Sequence, residues 1–259
     1  MTLKTALRYD RYELKYHIPA RLVPVLCREL EAFCDYDHFS KLSPDGHYQI
    51  NNLYLDTPSY LFYRRSREGV EGRFNMRVRR YGAPQEKGPV YLEVKTKSGN
   101  FVKKIRAKVD PAEWFPALER FTLPSAVSGV AQDNAARFAE LVIGHRAAPV
   151  VCTSYRRLAL FSTVDEYARI TFDRELRFGE RRAYDFTPES MRHYDHAHYF
   201  DPGADVILEL KCEARVPWWI LDLLRRHNLE RRSFSKFSSS LRELGQEALA
   251  SPHTYAAGV

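Results

Sequence analysis

Three successive segments of this chain alternate, residue by residue, between cations and apolar side chains. RFNMRVRRYG sets Arg73, Arg77 and Arg79 on one side of a two-residue period. VYLEVKTKSG does the same with Glu93, Lys95 and Lys97, and FVKKIRAKV with Lys104, Arg106 and Lys108. The opposite side holds Val78, Leu92, Val94, Phe101, Ile105 and Val109. Side chains of a strand point alternately to its two faces, so this pattern specifies strands with one apolar and one charged face. Phase separates neighbouring lysines: Lys104 shares the charged face with Arg106, whereas Lys103 falls in step with Ile105 and Val109.

Other segments alternate in the same way. In YDRYELKYHI (9–18), Tyr12, Leu14, Tyr16 and Ile18 oppose Arg11, Glu13, Lys15 and His17. Further strands are expected at 48–57, 150–161, 167–174, 176–184 and 204–214, and SGN after Lys97 marks a hairpin turn. Pro19 opens a helix over 19–34 with Leu22, Val25, Leu26, Leu30 and Phe33 as its stripe. Thr57 and Pro58 form an N-cap and first-turn pair for a short helix ending near Gly69. Residues 111–146, VPWWILDLLRRHNL and SFSKFSSSLRELGQEALA also read as helical, with Trp218 and Trp219 as core anchors.

Helices with apolar stripes need a surface to cover. If they cover the outside of the sheet, the apolar strand faces point out to them and the charged faces point inward. Glu13, Glu93 and Glu209 lie on the same faces as the bases, which favours enclosure because buried charges need partners. The rival arrangement is an open sheet with a basic surface. The expectation is an α+β fold: a closed eight-stranded antiparallel β-barrel with a basic interior and flanking helices. It forms a single domain over 1–259, with its core at about 8–244 and a frayed tail at 250–259.

Forty Lys and Arg against 33 Asp and Glu give a net charge of +7, which favours an anionic partner without naming it. Cys27, Cys34, Cys152 and Cys212 have no paired spacing and read as reduced thiols. No signal-peptide run and no stretch of about twenty apolar residues is present, so a cytoplasmic protein without a transmembrane segment is expected. His193, His196 and His198 fit no structural zinc spacing and read as a polar loop. Walker A and kinase signatures are absent. A nucleic-acid-binding barrel would interleave aromatics with the bases, and few are read on these faces.

The motifs ELKYHIP, INNLYLDT, MRVRRYG, LEVKTK, VKKIRAKV, TSYRRLALF, RITFDREL, VILELKCE and FSKFSSSL, in this order, resemble the VTC domain. This is the catalytic domain of the vacuolar transporter chaperone complex, within the CYTH-like triphosphate tunnel metalloenzymes. The resemblance implies an eight-stranded basic tunnel. It also implies a polyphosphate polymerase, a transferase that moves the γ-phosphate of ATP onto inorganic polyphosphate with Mn²⁺ or Mg²⁺. Carried over by motif, Arg77, Arg79, Lys95, Lys104, Arg157 and Arg169 are the expected catalytic residues. Lys15, Tyr155, Ser235 and Lys236 are expected on the same ground to bind substrate; by the two-residue period Arg106 and Lys211 join them, with Glu93 a further lining residue. Glu209, with Glu13, is expected to hold the metal.

Where the wider superfamily has Glu-x-Glu-x-Lys, this chain has Arg11-x-Glu13-x-Lys15, which points to the VTC branch rather than the hydrolase branches. Ser233 stands where the eukaryotic enzymes carry a basic residue. The implied partners are ATP and polyphosphate, not nucleic acid, and a membrane protein exporting the product is compatible with them. The readings left beside the polymerase are a triphosphate or polyphosphate hydrolase of the same fold and a noncatalytic polyphosphate or nucleotide sensor.

Overall fold

The computed structural model describes residues 11–82, 88–98, 101–120, 130–165, 167–187, 190–194, 203–213 and 215–245. Its strands are β1 (Arg11–Ile18), β2 (Cys34–Tyr36), β3 (Tyr48–Asp56), β4 (Arg73–Tyr81), β5 (Val90–Ser98), β6 (Phe101–Val109), β7 (Ala148–Ser162), β8 (Ala168–Glu180), β9 (Arg192–His193) and β10 (Val206–Glu213). The helices are α1 (Val23–Leu30), α2 (His38–Leu42), α3 (Leu61–Glu68), α4 (Trp114–Arg120), α5 (Val130–His145), α6 (Trp218–Arg226) and α7 (Lys236–Glu243). The expected α+β class, an antiparallel sheet with flanking helices, is what forms. The expected turn at 99–100, His196, His198 and the tail 250–259 lie outside the described residues.

The strands follow one another in the order β1-β10-β8-β7-β3-β4-β5-β6. This path is open: among the described residues no pairing joins β1 to β6, where the sequence led to a closed ring. The physical reason lies at the two edges. Beyond β1, the Arg232 N–H donates to the Lys15 carbonyl at 2.8 Å, and Tyr16 bridges to Arg231. Beyond β6, the Asn134 side chain of α5 donates to the Arg106 carbonyl at 3.0 Å. Each edge is met by a loop or a helix side chain instead of by the other edge.

Two compact units are distinguished: Met1–His47 with Arg157–Arg174 and His196–Ser233, and Tyr48–Arg156 with Glu175–Asp195 and Phe234–Val259. In the first, Tyr16, Ile18, Ile170, Phe172, Leu208 and Leu210 form the buried sheet face. They pack with Leu26 and Leu30 of α1 and Trp219, Ile220 and Leu223 of α6. Pro19 caps a 3₁₀ turn at Ala20–Leu22, and α1 starts only at Val23. The helix expected to reach 34 ends at Leu30, because Cys34–Tyr36 pair with Leu160–Ser162 as a strand. Trp219 anchors the core as expected, stacked on Phe33 at 5.2 Å with its indole N–H on Asp165. Trp218 does not: it is 70% exposed.

In the second unit, Leu53, Leu55, Met76, Val78, Leu92, Val94 and Val109 lie beneath Trp114 and Leu118 of α4 and Phe138 and Val142 of α5. Each large side chain buried there contributes roughly 1.5–3 kcal/mol. Helix α3 begins at Leu61 rather than at Pro58. Its orphan amides go to Asp56, whose carboxylate accepts from the N–H groups of Phe62 and Tyr63, each at 2.9 Å. Thr57 does accept a helix amide, that of Leu61 at 3.0 Å, but the main cap is one residue earlier. The strands expected at 167–174 and 176–184 are one strand, β8, that passes through Glu175 in the left-handed region at φ 55°. In both units the helices cover the apolar strand faces, as the alternation required.

Candidate anion-binding site

Strand register sets the charged face of the second unit in rows. Tyr54, Arg77, Glu93 and Arg106 lie side by side across β3, β4, β5 and β6. Asn52, Arg79, Tyr91 and Lys108 form the adjacent row, and Asn75, Lys95 and Lys104 the next. Partners directly opposite share a face and touch.

Glu93 is the hub of this face and is 1% exposed. The Arg77 Nε donates to its Oε2 at 2.7 Å, and Nη2 lies 2.7 Å from the same atom. On the other oxygen, Lys104 Nζ stands at 2.6 Å and Arg106 Nε at 3.1 Å. Arg79 Nε lies 3.9 Å from Oε2 and donates at 2.8 Å to Asn52 Oδ1. One carboxylate thus gathers four cations, leaving three in excess. Burial alone would raise Glu93, yet Arg77, Arg79 and Lys104 hold it far below the usual carboxylate range.

The same crowding acts on its neighbours. Burial lowers the Lys104 ammonium to about 8, with Glu93 opposing and Arg77 and Arg79 reinforcing the shift. Burial would raise the Tyr81 phenol, but Arg79 and Arg106 bring it down to about 8. Anion binding to this face is therefore expected to weaken as pH rises through about 8, where Lys104 loses its positive charge and Tyr81 gains a negative one. Calorimetric titration with tripolyphosphate from neutral to alkaline pH tests this. Lys104→Arg should flatten the profile, and a wild-type profile already flat would contradict the assignment.

Two more expected residues reach this face. Tyr155 Oη accepts from Arg79 Nη2 at 3.3 Å, and Lys236 Nζ lies 4.5 Å from the centre of the Tyr155 ring. The Ser235 hydroxyl is the N-cap of α7 and accepts from the Ser238 N–H. Lys95 stands in register between Asn75 and Lys104.

The remaining expected residues belong to the first unit. Glu13, Lys211 and Arg169 form one row across β1, β10 and β8, and Lys15, Glu209 and Thr171 the next. Lys15 Nζ is 3.1 Å from Glu13 and 4.0 Å from Glu209, and Lys211 Nζ is 3.3 Å from Glu209. Burial would raise Glu209, whereas Lys211 and Lys15 hold it well below the carboxylate range. Glu13 and Glu209 share Lys15 as a counter-ion, which offsets their repulsion. Two ionised carboxylates are also a donor set that a hard divalent ion would accept. Among the described residues no group of three or more His, Cys, Asp or Glu side chains forms a metal site. Such an ion would therefore rest on this pair.

Arg157 and Arg169 have protein partners that their sequence motifs did not disclose. Arg157 is buried and gives both arms of its guanidinium to Asp173, at 2.6 and 2.8 Å. Arg169 lies 3.4 Å from Asp37 and over the Phe161 ring. Reading by motif also missed Tyr54, Tyr81 and Tyr91. All three fall in step with the charged residues: Tyr81 is two residues after Arg79, and Tyr91 two before Glu93. The two-residue period could have found them.

Among the described residues no helix is long and apolar enough to cross a membrane. No curated protein matches the chain. Among solved structures, a candidate adenylate cyclase from Bacillus halodurans is 13% identical, with 87% of this chain and 95% of that one covered and a TM-score of 0.50. It shares the fold. A candidate adenylate cyclase from Vibrio parahaemolyticus is 11% identical over 89% and 97%, with a TM-score of 0.46. A Hippeastrum protein described as a candidate adenylyl cyclase with a dominant triphosphatase activity is 16% identical over 90% and 95%, also at 0.46. The model of the VTC domain matches residues 10–244, nearly the whole length, and the chain therefore belongs to the VTC domain family.

Proposed function

We propose that the protein is a divalent-metal-dependent phosphotransferase that moves the γ-phosphate of ATP onto inorganic polyphosphate. The observation that carries this reading is the Glu93 hub: Arg77, Arg79, Lys104 and Arg106 converge on one carboxylate and leave an excess of three positive charges on one strand face. Membership of the VTC domain family supports phosphate chains as the anions that meet it.

In the proposed reaction a terminal oxygen of the polyphosphate bonds to the γ-phosphorus, the bond from that phosphorus to the β–γ bridging oxygen breaks, and ADP leaves. The acceptor oxygen is already ionised, so no base is required. What the site must supply is alignment and a counter-charge for the phosphoryl oxygens. Arg77, Arg79 and Arg106 suit this work because a guanidinium fork grips two oxygens at once, and Lys104 adds a compact point charge. Lys95 and Lys236 extend the cationic surface. In the first unit Lys15 and Lys211 are cations that suit phosphate oxygens, and Arg157 and Arg169 are held by Asp173 and Asp37. Glu13 and Glu209 would hold Mn²⁺ or Mg²⁺, which when bound neutralises phosphate charge.

Purified protein incubated with ATP, Mn²⁺ and a short polyphosphate primer is expected to yield longer chains and ADP. Release of free phosphate alone would instead assign hydrolysis. Tight, salt-sensitive polyphosphate binding without turnover would assign a sensor.

A further inference from the structure

Each guanidinium around Glu93 also meets a phenol. Arg77 Nη1 donates to Tyr54 Oη at 3.3 Å, Arg79 Nη2 to Tyr155 Oη at 3.3 Å, and Arg106 Nη2 to Tyr81 Oη at 3.0 Å. Arg106 is the most fully framed of the three. Its Nε faces Glu93, its Nη2 is held by Tyr81, and the Tyr91 ring lies 3.7 Å from Cζ, against one face of the guanidinium plane. The peptide beneath is fixed as well, since the Arg106 carbonyl accepts from Asn134. Arg106 nevertheless keeps 37% of its side chain exposed, and among the described residues its Nη1 makes no hydrogen bond.

Those contacts leave one edge of the fork open to an incoming anion. A solvated arginine on a strand loses rotamer freedom when it is immobilised. An arginine with a hydrogen bond to Tyr81, an ion pair with Glu93 and a ring against one face before the ligand arrives has already lost much of that freedom. Tyr91 also gains from the cation lying over its ring.

We propose that Tyr81 and Tyr91 are positioning residues that aim the open edge of Arg106 at a phosphate of the bound chain. Neither tyrosine contacts phosphate itself in this arrangement; both act through Arg106. This inference rests on the reading of the Glu93 face as the phosphate-binding site.

The test is a double-mutant cycle read by calorimetry with tripolyphosphate. Tyr81→Phe removes one hydroxyl and keeps the ring, so melting is expected to be unchanged while affinity falls about fivefold. Tyr91→Leu is expected to lose a similar factor, and Tyr91→Phe, which restores a ring face, to regain it. In an Arg106→Ala background neither change should weaken binding further, because the group they aim is gone. Wild-type affinity in Tyr81→Phe, or an equal loss with and without Arg106, overturns the inference and leaves the phosphate site standing. A wild-type protein that does not bind tripolyphosphate overturns both.

Discussion

In the proposed reaction, conversion of ATP to chain polyphosphate is expected to fall by about a thousandfold in Arg77→Ala, with the fold retained. The Arg77 guanidinium donates to Glu93 and Tyr54 and still leaves 23% of its side chain exposed. It is therefore both fixed and accessible, the condition for stabilising charge that develops in a transition state without reorganisation. Its loss should be tolerated structurally, because Glu93 keeps Lys104 at 2.6 Å and Arg106 at 3.1 Å as counter-charges. Arg77→Lys keeps the charge but not the fork, and should recover only part of the rate. Steady-state rates alongside thermal melts decide the matter. Wild-type turnover in Arg77→Ala would remove this face from the reaction, and a collapsed melting transition would mark Arg77 as structural instead.

Glu93→Gln should move stability and affinity in opposite directions. The substitution keeps the shape and removes the one negative charge shared by four cations. Uncompensating a fully buried ion pair costs about 3–5 kcal/mol. Here Arg79 is buried but Arg77, Lys104 and Arg106 are partly exposed, so water screens much of their repulsion and about 2 kcal/mol is expected. The face now carries four uncompensated charges, so tripolyphosphate should bind more tightly than to the wild type. Ligand at about a hundred times its dissociation constant restores about 2.7 kcal/mol, enough to return the melting temperature close to that of the wild type. Denaturant melts with and without tripolyphosphate read both effects. Unchanged stability combined with weaker binding would show that Glu93 is not the counter-ion of this patch.

How far the chain could be read without coordinates depends on what a two-residue period encodes. It encodes faces, and the faces held: Lys104 meets Glu93 while Lys103 is simply exposed, and Val78, Leu92 and Val94 lie under helices. It does not encode partners across strands. That Glu93 would be a hub rather than one more charge required the register that sets Arg77 and Arg106 on either side of it. Nor does it encode closure, since the edges of β1 and β6 are satisfied by Arg231–Arg232 and Asn134, which carry no strand pattern. Aromatics were undercounted on the charged face because a tyrosine among arginines resembles an error of phase. Tyr54, Tyr81 and Tyr91 are there because each gives an arginine a phenol oxygen or a ring face. Trp218 and Trp219 were read together, yet adjacent residues on a helix point about 100° apart and only one can face the core.

The contact of Arg231 and Arg232 with the rim of β1 bears on how the protein behaves in a crowded solution. A bare sheet edge is a template on which another copy can dock, strand to strand. A polypeptide ending before Arg231 would leave the Lys15 carbonyl open to a neighbour. Proteolytic nicking in the stretch that leads into the final helix is therefore expected to be seen first as aggregation.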